Sequence, residues 1–166
     1  IRILGDADEV VVRLGDRDVT FDVVTDTGSV QVTTRLIEGE FPNYRQLIPS
    51  SYPNQVVVAR EPLLEAVRRV KLMAREATPL RITQKLNVLE LMAITQDVGQ
   101  AHEEVDAKYD GEELTVAFNA EYLIQGLEAA TGDEVVLETL DALKPAVLRS
   151  NSGGDFLYLL MPVRVS

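Results

Sequence analysis

Cysteine and tryptophan are absent from the 166 residues, and histidine occurs once. Without cysteine there is no disulfide, no thiolate nucleophile and no cysteine zinc site, a composition that fits a reducing cytoplasm. The lone His102 stands beside Glu103 and Glu104 on a strand-like stretch. A metal ion there lacks the usual second nitrogen or sulfur ligand, and no Ser-His-Asp arrangement can be assembled around it. An exposed strand residue is the simpler reading. No apolar run approaches the ~20 residues that a helix needs to cross a bilayer. Positive charge is scarce: 16 Lys and Arg stand against 27 Asp and Glu, a net charge of −11. Such an excess opposes indiscriminate binding to nucleic acid, itself a polyanion. Solubility alone would account for it. The phosphate-binding GxxxxGK[ST] pattern and the EF-hand spacing are also missing, and Ser152-Gly153-Gly154 precedes a strand and reads as a hairpin turn.

What is present is a chain 46% hydrophobic, enough for a packed core. Residues 1–37 read as three antiparallel strands. Val10 to Leu14, Val19 to Val24 and Val30 to Leu36 are rich in β-branched residues and are separated by turns. Ile1 opens directly in a strand-like pattern, and three strands alone leave an apolar face unmatched, so upstream sequence is expected. Residues 38–54 contain Pro42, Pro49 and Pro53 and read as a connector between domains. Beyond it, the order strand–helix–strand–strand–strand occurs twice. Val57 to Leu64 finds a counterpart in Thr115 to Tyr122, each a short strand running into a helix start. Pro62 suits the first turn of one helix and Asn119 caps the other. Thr78-Pro79 and Thr131-Gly132 are read as the helix ends. Two such units can bury a face of each helix against sheets.

Charge is segregated. From Asp97 to Glu113 there are seven acids and one base, Lys108. This reads either as an edge strand protected by charge or as a docking edge for a basic partner. The helix from Pro62 carries Arg68, Arg69, Lys71 and Arg75 on its polar side, opposite Leu63, Val67 and Val70. That is either a solvated amphipathic face or a surface for phosphates. The C-terminus is apolar almost to its end, Tyr158 to Val165. Pro162 stops ladder pairing, so Met161 to Val165 should lie at a surface, where apolar residues beside an arginine mark a partner site.

Two motifs carry a family resemblance. Glu38-Gly39-Glu40-Phe41-Pro42-Asn43-Tyr44-Arg45-Gln46-Leu47-Ile48-Pro49 is similar to the segment joining the second and third domains of bacterial DNA polymerase III beta subunits, the sliding clamps. Tyr158-Leu159-Leu160-Met161-Pro162-Val163-Arg164 resembles that family's C-terminus. The resemblance implies an α+β DNA-clamp fold of two strand–helix–strand–strand–strand repeats, helices on one side and antiparallel sheets on the other. It implies that residues 1–40 end the middle domain and 41–166 form the third. It implies a non-catalytic replication processivity factor, without cofactor or metal. Such a factor acts as a head-to-tail homodimeric ring around duplex DNA, and it holds polymerase subunits, clamp loader and repair proteins by short peptides. The peptide pocket would be Pro42, Gln46, Leu47, Leu143, Pro145, Leu160, Met161, Pro162, Val163 and Arg164. Arg68, Arg69, Lys71 and Arg75 would face DNA, and Leu72, Met73, Glu103 and Glu104 would meet the other subunit. Gln46 stands where the family often has a basic residue. The opposite pocket wall and the first domain have no counterpart here, so a half-pocket is expected. Two alternatives are an acidic protein–protein adaptor outside replication and a carboxylate-dependent hydrolase. No residue in the sequence singles out the latter.

Overall fold

The computed structural model describes residues 7, 9–25, 28–41, 43–74 and 78–164; the expected site residues Pro42 and Arg75 fall outside these, as does Val165. The chain divides into two compact units, residues 1–42 and 43–166.

The first unit is an antiparallel meander of β1 (Val10–Leu14), β2 (Asp18–Thr25) and β3 (Gly28–Arg35). Val19 and Val23 of β2 are buried, whereas Val11, Leu14 and Val24 are exposed. Three strands bury little by themselves.

The second unit opens with a short 3-10 turn, Tyr44–Leu47, followed by β4 (Asn54–Ala59) and α1 (Arg60–Lys71). Then come β5 (Leu80–Lys85), β6 (Val88–Thr95), β7 (Gly99–Lys108) and β8 (Leu114–Phe118). The helix α2 (Ala120–Ala129), β9 (Glu134–Thr139), β10 (Ala146–Ser150) and β11 (Leu157–Leu160) complete it. The eight strands form one antiparallel row, β11-β10-β9-β4-β7-β6-β5-β8. Its centre is narrow: β4 meets β7 only through Val57–Lys108 and Val58–Ala107. Its two ends meet as well, because Val163 N beyond β11 donates to Ala117 O of β8 at 2.8 Å. Among the described residues no helix is long and apolar enough to cross a membrane.

The two halves repeat each other, and the repeat is offset by two residues from the alignment the sequence suggests. The helix caps are Ala59 and Asn119. From these, Leu63, Leu64, Ala66, Val67 and Val70 correspond to Leu123, Ile124, Gly126, Leu127 and Ala130, and all of them are buried. The same offset relates Val57 to Ala117, the residues at which each first strand meets its second neighbour. Burial facing the core, rather than the similar look of Val-Val-Ala and Thr-Val-Ala, sets the true register. Between the repeats, Gln84 of β5 and Thr139 of β9 are both buried, and the amide and hydroxyl lie 3.0 Å apart. Each satisfies the other where an unpaired polar group would be costly.

A second correction concerns α1. It ends at Lys71, seven residues before Thr78. Leu72, Met73 and Ala74 each donate to the carbonyl three residues back, at 3.1, 3.1 and 2.9 Å. This tighter winding closes the helix.

Candidate functional site

The tail is positioned by strand pairing. Leu160 of β11 lies opposite Ala146 of β10, so the residues after Leu160 and those before Ala146 leave the sheet at the same end. Leu160 is 2% exposed and belongs to the core, and Pro145 is also buried. Both can shape a groove only from beneath. Met161 is 57% exposed and Leu143 64%. Leu143 is held by a turn in which the Asp141 carboxylate accepts from Leu143 N at 2.7 Å and Lys144 N at 2.9 Å. Pro162 is half-buried, and Val163 and Arg164 are exposed. The bond from Val163 to Ala117 takes the tail past the start of α2, where Asn119 caps the helix by accepting from Glu121 N at 2.8 Å. Tyr122 is exposed in that first turn and lies near Tyr158 of β11, whose phenol is raised above its ordinary value by burial and, to a lesser degree, by Tyr122. Sequence reasoning did not bring the start of α2, with Asn119 and Tyr122, to the side of the tail, because they lie some forty residues from it in the chain. An exposed tyrosine in a first helical turn was the available signal.

Gln46 and Leu47 stand exposed on the 3-10 turn of this unit. The connector after them brings Tyr52 near Glu138 and Arg149. Burial and the Glu138 charge push its phenol above the ordinary tyrosine range, while Arg149 opposes this. Arg149 Nε donates to Glu138 Oε2 at 2.8 Å, and Gln55 Nε2 to Glu138 Oε1 at 3.2 Å, which lets that carboxylate be buried.

The cations of α1 are engaged. Arg68 donates to Glu65 Oε1 at 2.7 Å and to Glu128 Oε1 of α2 at 2.6 Å. Arg69 forks onto Glu103 of β7, at 2.8 and 3.0 Å. Lys71 pairs with Glu121 of α2. The hydrogen bonds from Glu128 and then Glu65 hold Arg68 above its ordinary value, and Glu103 does the same for Arg69. Arg69 in turn holds the Glu103 carboxyl below the usual carboxylate range. Arg75 lies outside the described residues.

Of the four residues expected where two subunits meet, three lie near one another. Leu72, 84% exposed, caps α1. Met73 packs its Cε close to Gly99 at the start of β7, and its carbonyl accepts from Thr95 Oγ1 at 2.6 Å. Glu103 reaches α1 through Arg69. Glu104 does not join them. It alternates onto the other face of β7, opposite Glu90 of β6. The acidic strand is also only half an edge. β6 covers Gly99–Asp106, while β4 covers only Ala107 and Lys108 on the other side.

The only metal-like grouping among the described residues is Glu90, His102 and Glu104, with ligand atoms within 4.8 Å of one another. Lys85 already sits 2.6 Å from Glu90 and supplies positive charge there. For hydrolysis, a general acid needs a raised carboxyl pKa. Glu90, Glu103 and Glu134 are instead held below the ordinary range, chiefly by bonds from Lys85, Arg69 and Lys108.

The chain is similar in sequence and fold to known proteins. The family model for the C-terminal domain of the DNA polymerase III beta subunit matches residues 45–164. A beta sliding clamp of Streptomyces coelicolor is 38% identical over 142 residues, 82% of this chain and 38% of that protein. One from Synechococcus elongatus is 33% identical over 162 residues, 96% of this chain and 42% of that protein. Among solved structures, a Bartonella birtlesii sliding clamp bound to griselimycin superimposes with a TM-score of 0.78 at 32% identity, covering 96% of this chain and 42% of that one. The chain thus spans about two fifths of the length of the curated relatives it matches.

Proposed function

Since the chain belongs to the DNA polymerase III beta subunit family, we propose that it is the C-terminal part of a sliding clamp in DNA replication, a non-catalytic cytoplasmic protein. Residues 1–40 are then the last strands of the middle domain and 41–166 the third domain. The division of the chain near Pro42 supports that boundary. In the complete protein, two subunits join head to tail around duplex DNA. A closed ring cannot leave the duplex sideways, so it tethers a polymerase without chemistry of its own.

The observation that carries the reading is the exposed apolar tail. Met161 and Val163 follow directly on β11, whose last residue Leu160 is anchored in the core, at the end where Leu143 stands and where α2 begins. Exposed apolar side chains on a rigid edge suit a short peptide with an apolar anchor, which supplies most of the affinity of such a contact. Gln46, Leu47, Pro145, Pro162 and Arg164 complete the proposed wall, with Leu160 beneath it; Pro42, proposed for the same wall, lies outside the described residues. Arg68, Arg69 and Lys71 are proposed to face the duplex, with Arg75. Leu72, Met73, Glu103 and Glu104 are proposed to meet the second subunit.

The test separates scaffold from groove. Met161→Ala should leave stability within about 0.5 kcal/mol, as for an exposed side chain. It should weaken a clamp-binding peptide at least ~10-fold, the loss of about 1.4 kcal/mol. Leu160→Ala should instead cost about 2–5 kcal/mol of stability as a core cavity. Calorimetry and urea melts measure both. A peptide that binds Met161→Ala as tightly as the unaltered chain would refute the groove.

A further inference from the structure

The three described cations proposed to face DNA are matched by four carboxylates. Arg68 holds Glu65 and Glu128, Arg69 holds Glu103, and Lys71 holds Glu121. The local sum is +3 and −4, a net −1 on the very surface assigned to a polyanion. Three of the four carboxylates come from other elements, Glu103 from β7 and Glu121 and Glu128 from α2. Helix packing therefore brings them to α1, rather than sequence neighbourhood. The pairs are roughly half exposed, so they add little to stability. Their consequence lies in what happens when a phosphate arrives.

We propose that Glu103, Glu121 and Glu128 are built-in competitors for phosphate, which let the α1 surface meet duplex DNA without gripping it. The inference rests on the reading of α1 as a DNA-facing helix and goes beyond it by giving the carboxylates a role. A cation that contacts a phosphate normally releases a condensed counterion from the DNA, and binding then weakens steeply with salt, by about 0.9 in log–log slope per contact. Here the cation must first leave a carboxylate, and that carboxylate recruits a salt cation in its place. Ion uptake offsets ion release. Each contact is then an exchange between two anions of similar strength, with little net gain. A ring that encircles its track needs no grip, and weak, exchangeable contacts leave it free to move along the duplex.

The experiment measures binding of the full 166-residue chain to a 20-base-pair duplex by fluorescence anisotropy across a potassium chloride series at low salt. The unaltered chain should bind weakly with a slope between zero and about −1. Glu103→Gln with Glu121→Gln frees Arg69 and Lys71 without changing shape. It should tighten binding at least ~10-fold and steepen the slope by about 1.8, two contacts' worth. Adding Arg69→Ala and Lys71→Ala to that variant should abolish the gain. A control pair, Glu112→Gln with Glu113→Gln, changes net charge equally but pairs with none of these cations among the described residues.

Three outcomes overturn the proposal. In the first, the control pair steepens the slope as much as the test pair, so net charge alone is at work. In the second, the unaltered chain already has a slope near −3, so its cations are free. In the third, the test pair has no effect although Arg69→Ala with Lys71→Ala in the unaltered chain weakens binding; α1 then faces DNA and only the competition is wrong. If those alanines change nothing in either background, the DNA-facing reading itself fails. Circular dichroism of each variant confirms that the fold is kept.

Discussion

At Gly126 two rules about glycine point in opposite directions. In the middle of a helix, glycine costs about 1 kcal/mol relative to alanine, so replacement should stabilise α2. A Cβ at this position, however, would lie 2.7 Å from Cδ1 and 2.9 Å from Cε1 of Tyr158. That ring sits on β11, the strand that launches the tail, and overpacking of this kind costs about 1–3 kcal/mol. The clash should win. Gly126→Ala is expected to lower stability by about 1–2 kcal/mol in urea melts, and Tyr158→Leu in the same chain should recover most of it. A stabilised Gly126→Ala would mean that the ring moves aside freely. Residue-level legibility follows the same division. The exposure of Met161 could be read from Pro162, which has no N–H to continue a ladder. The seating of Tyr158 on Gly126 could not, because it joins residues 32 apart through tertiary packing.

Among the elements, alternation and helical spacing made the strands and both helices legible. The end of α1 was not, because Leu72 and Met73 prolong the apolar spacing after the backbone has already tightened. Nor was the engagement of the α1 cations, whose partners Glu103, Glu121 and Glu128 lie 34 to 60 residues away. The same pairings tie elements together: Lys85–Glu90 joins β5 to β6, Arg69–Glu103 joins α1 to β7, and Lys108–Glu134 joins β7 to β9. Their pKa directions set a pH window. Glu90, Glu103 and Glu134 are lowered in the folded chain by bonds from Lys85, Arg69 and Lys108. The unfolded chain therefore takes up these protons first on acidification. Their contribution is complete above the ordinary carboxylate range and is lost as pH falls through the lowered folded values. Lys85 is raised by Glu90, so its contribution is complete below the ordinary lysine range and is lost as pH rises through the raised value. Urea midpoints should show a plateau between those ranges with a modest fall on either side, since all four groups face solvent. Added sodium chloride at about 1 M should flatten both shoulders by screening. A midpoint that falls within the plateau, or shoulders indifferent to salt, would count against these pairs.

For the molecule as a whole, the distribution of buried apolar side chains sets what is autonomous. Every member of the large core cluster lies between Val56 and Leu160. The first unit contributes its own Val19 and Val23 and leaves much of its remaining apolar surface exposed. The strand row of the second unit is joined at its centre through β4 and β7 and at its ends through the tail and β8, so both repeats share one core. A core shared in this way unfolds as a single cooperative body. Residues 43–166 alone are therefore expected to melt in one transition, within a few degrees of the corresponding transition in the longer chain. Residues 1–42 alone should show no cooperative transition, because a three-stranded sheet with little buried surface cannot offset its ordering entropy. Differential scanning calorimetry of the two pieces and the whole tests this. A truncated chain that loses cooperativity would mean that the meander is part of the second unit's stability, and that a division near Pro42 is one of contacts only.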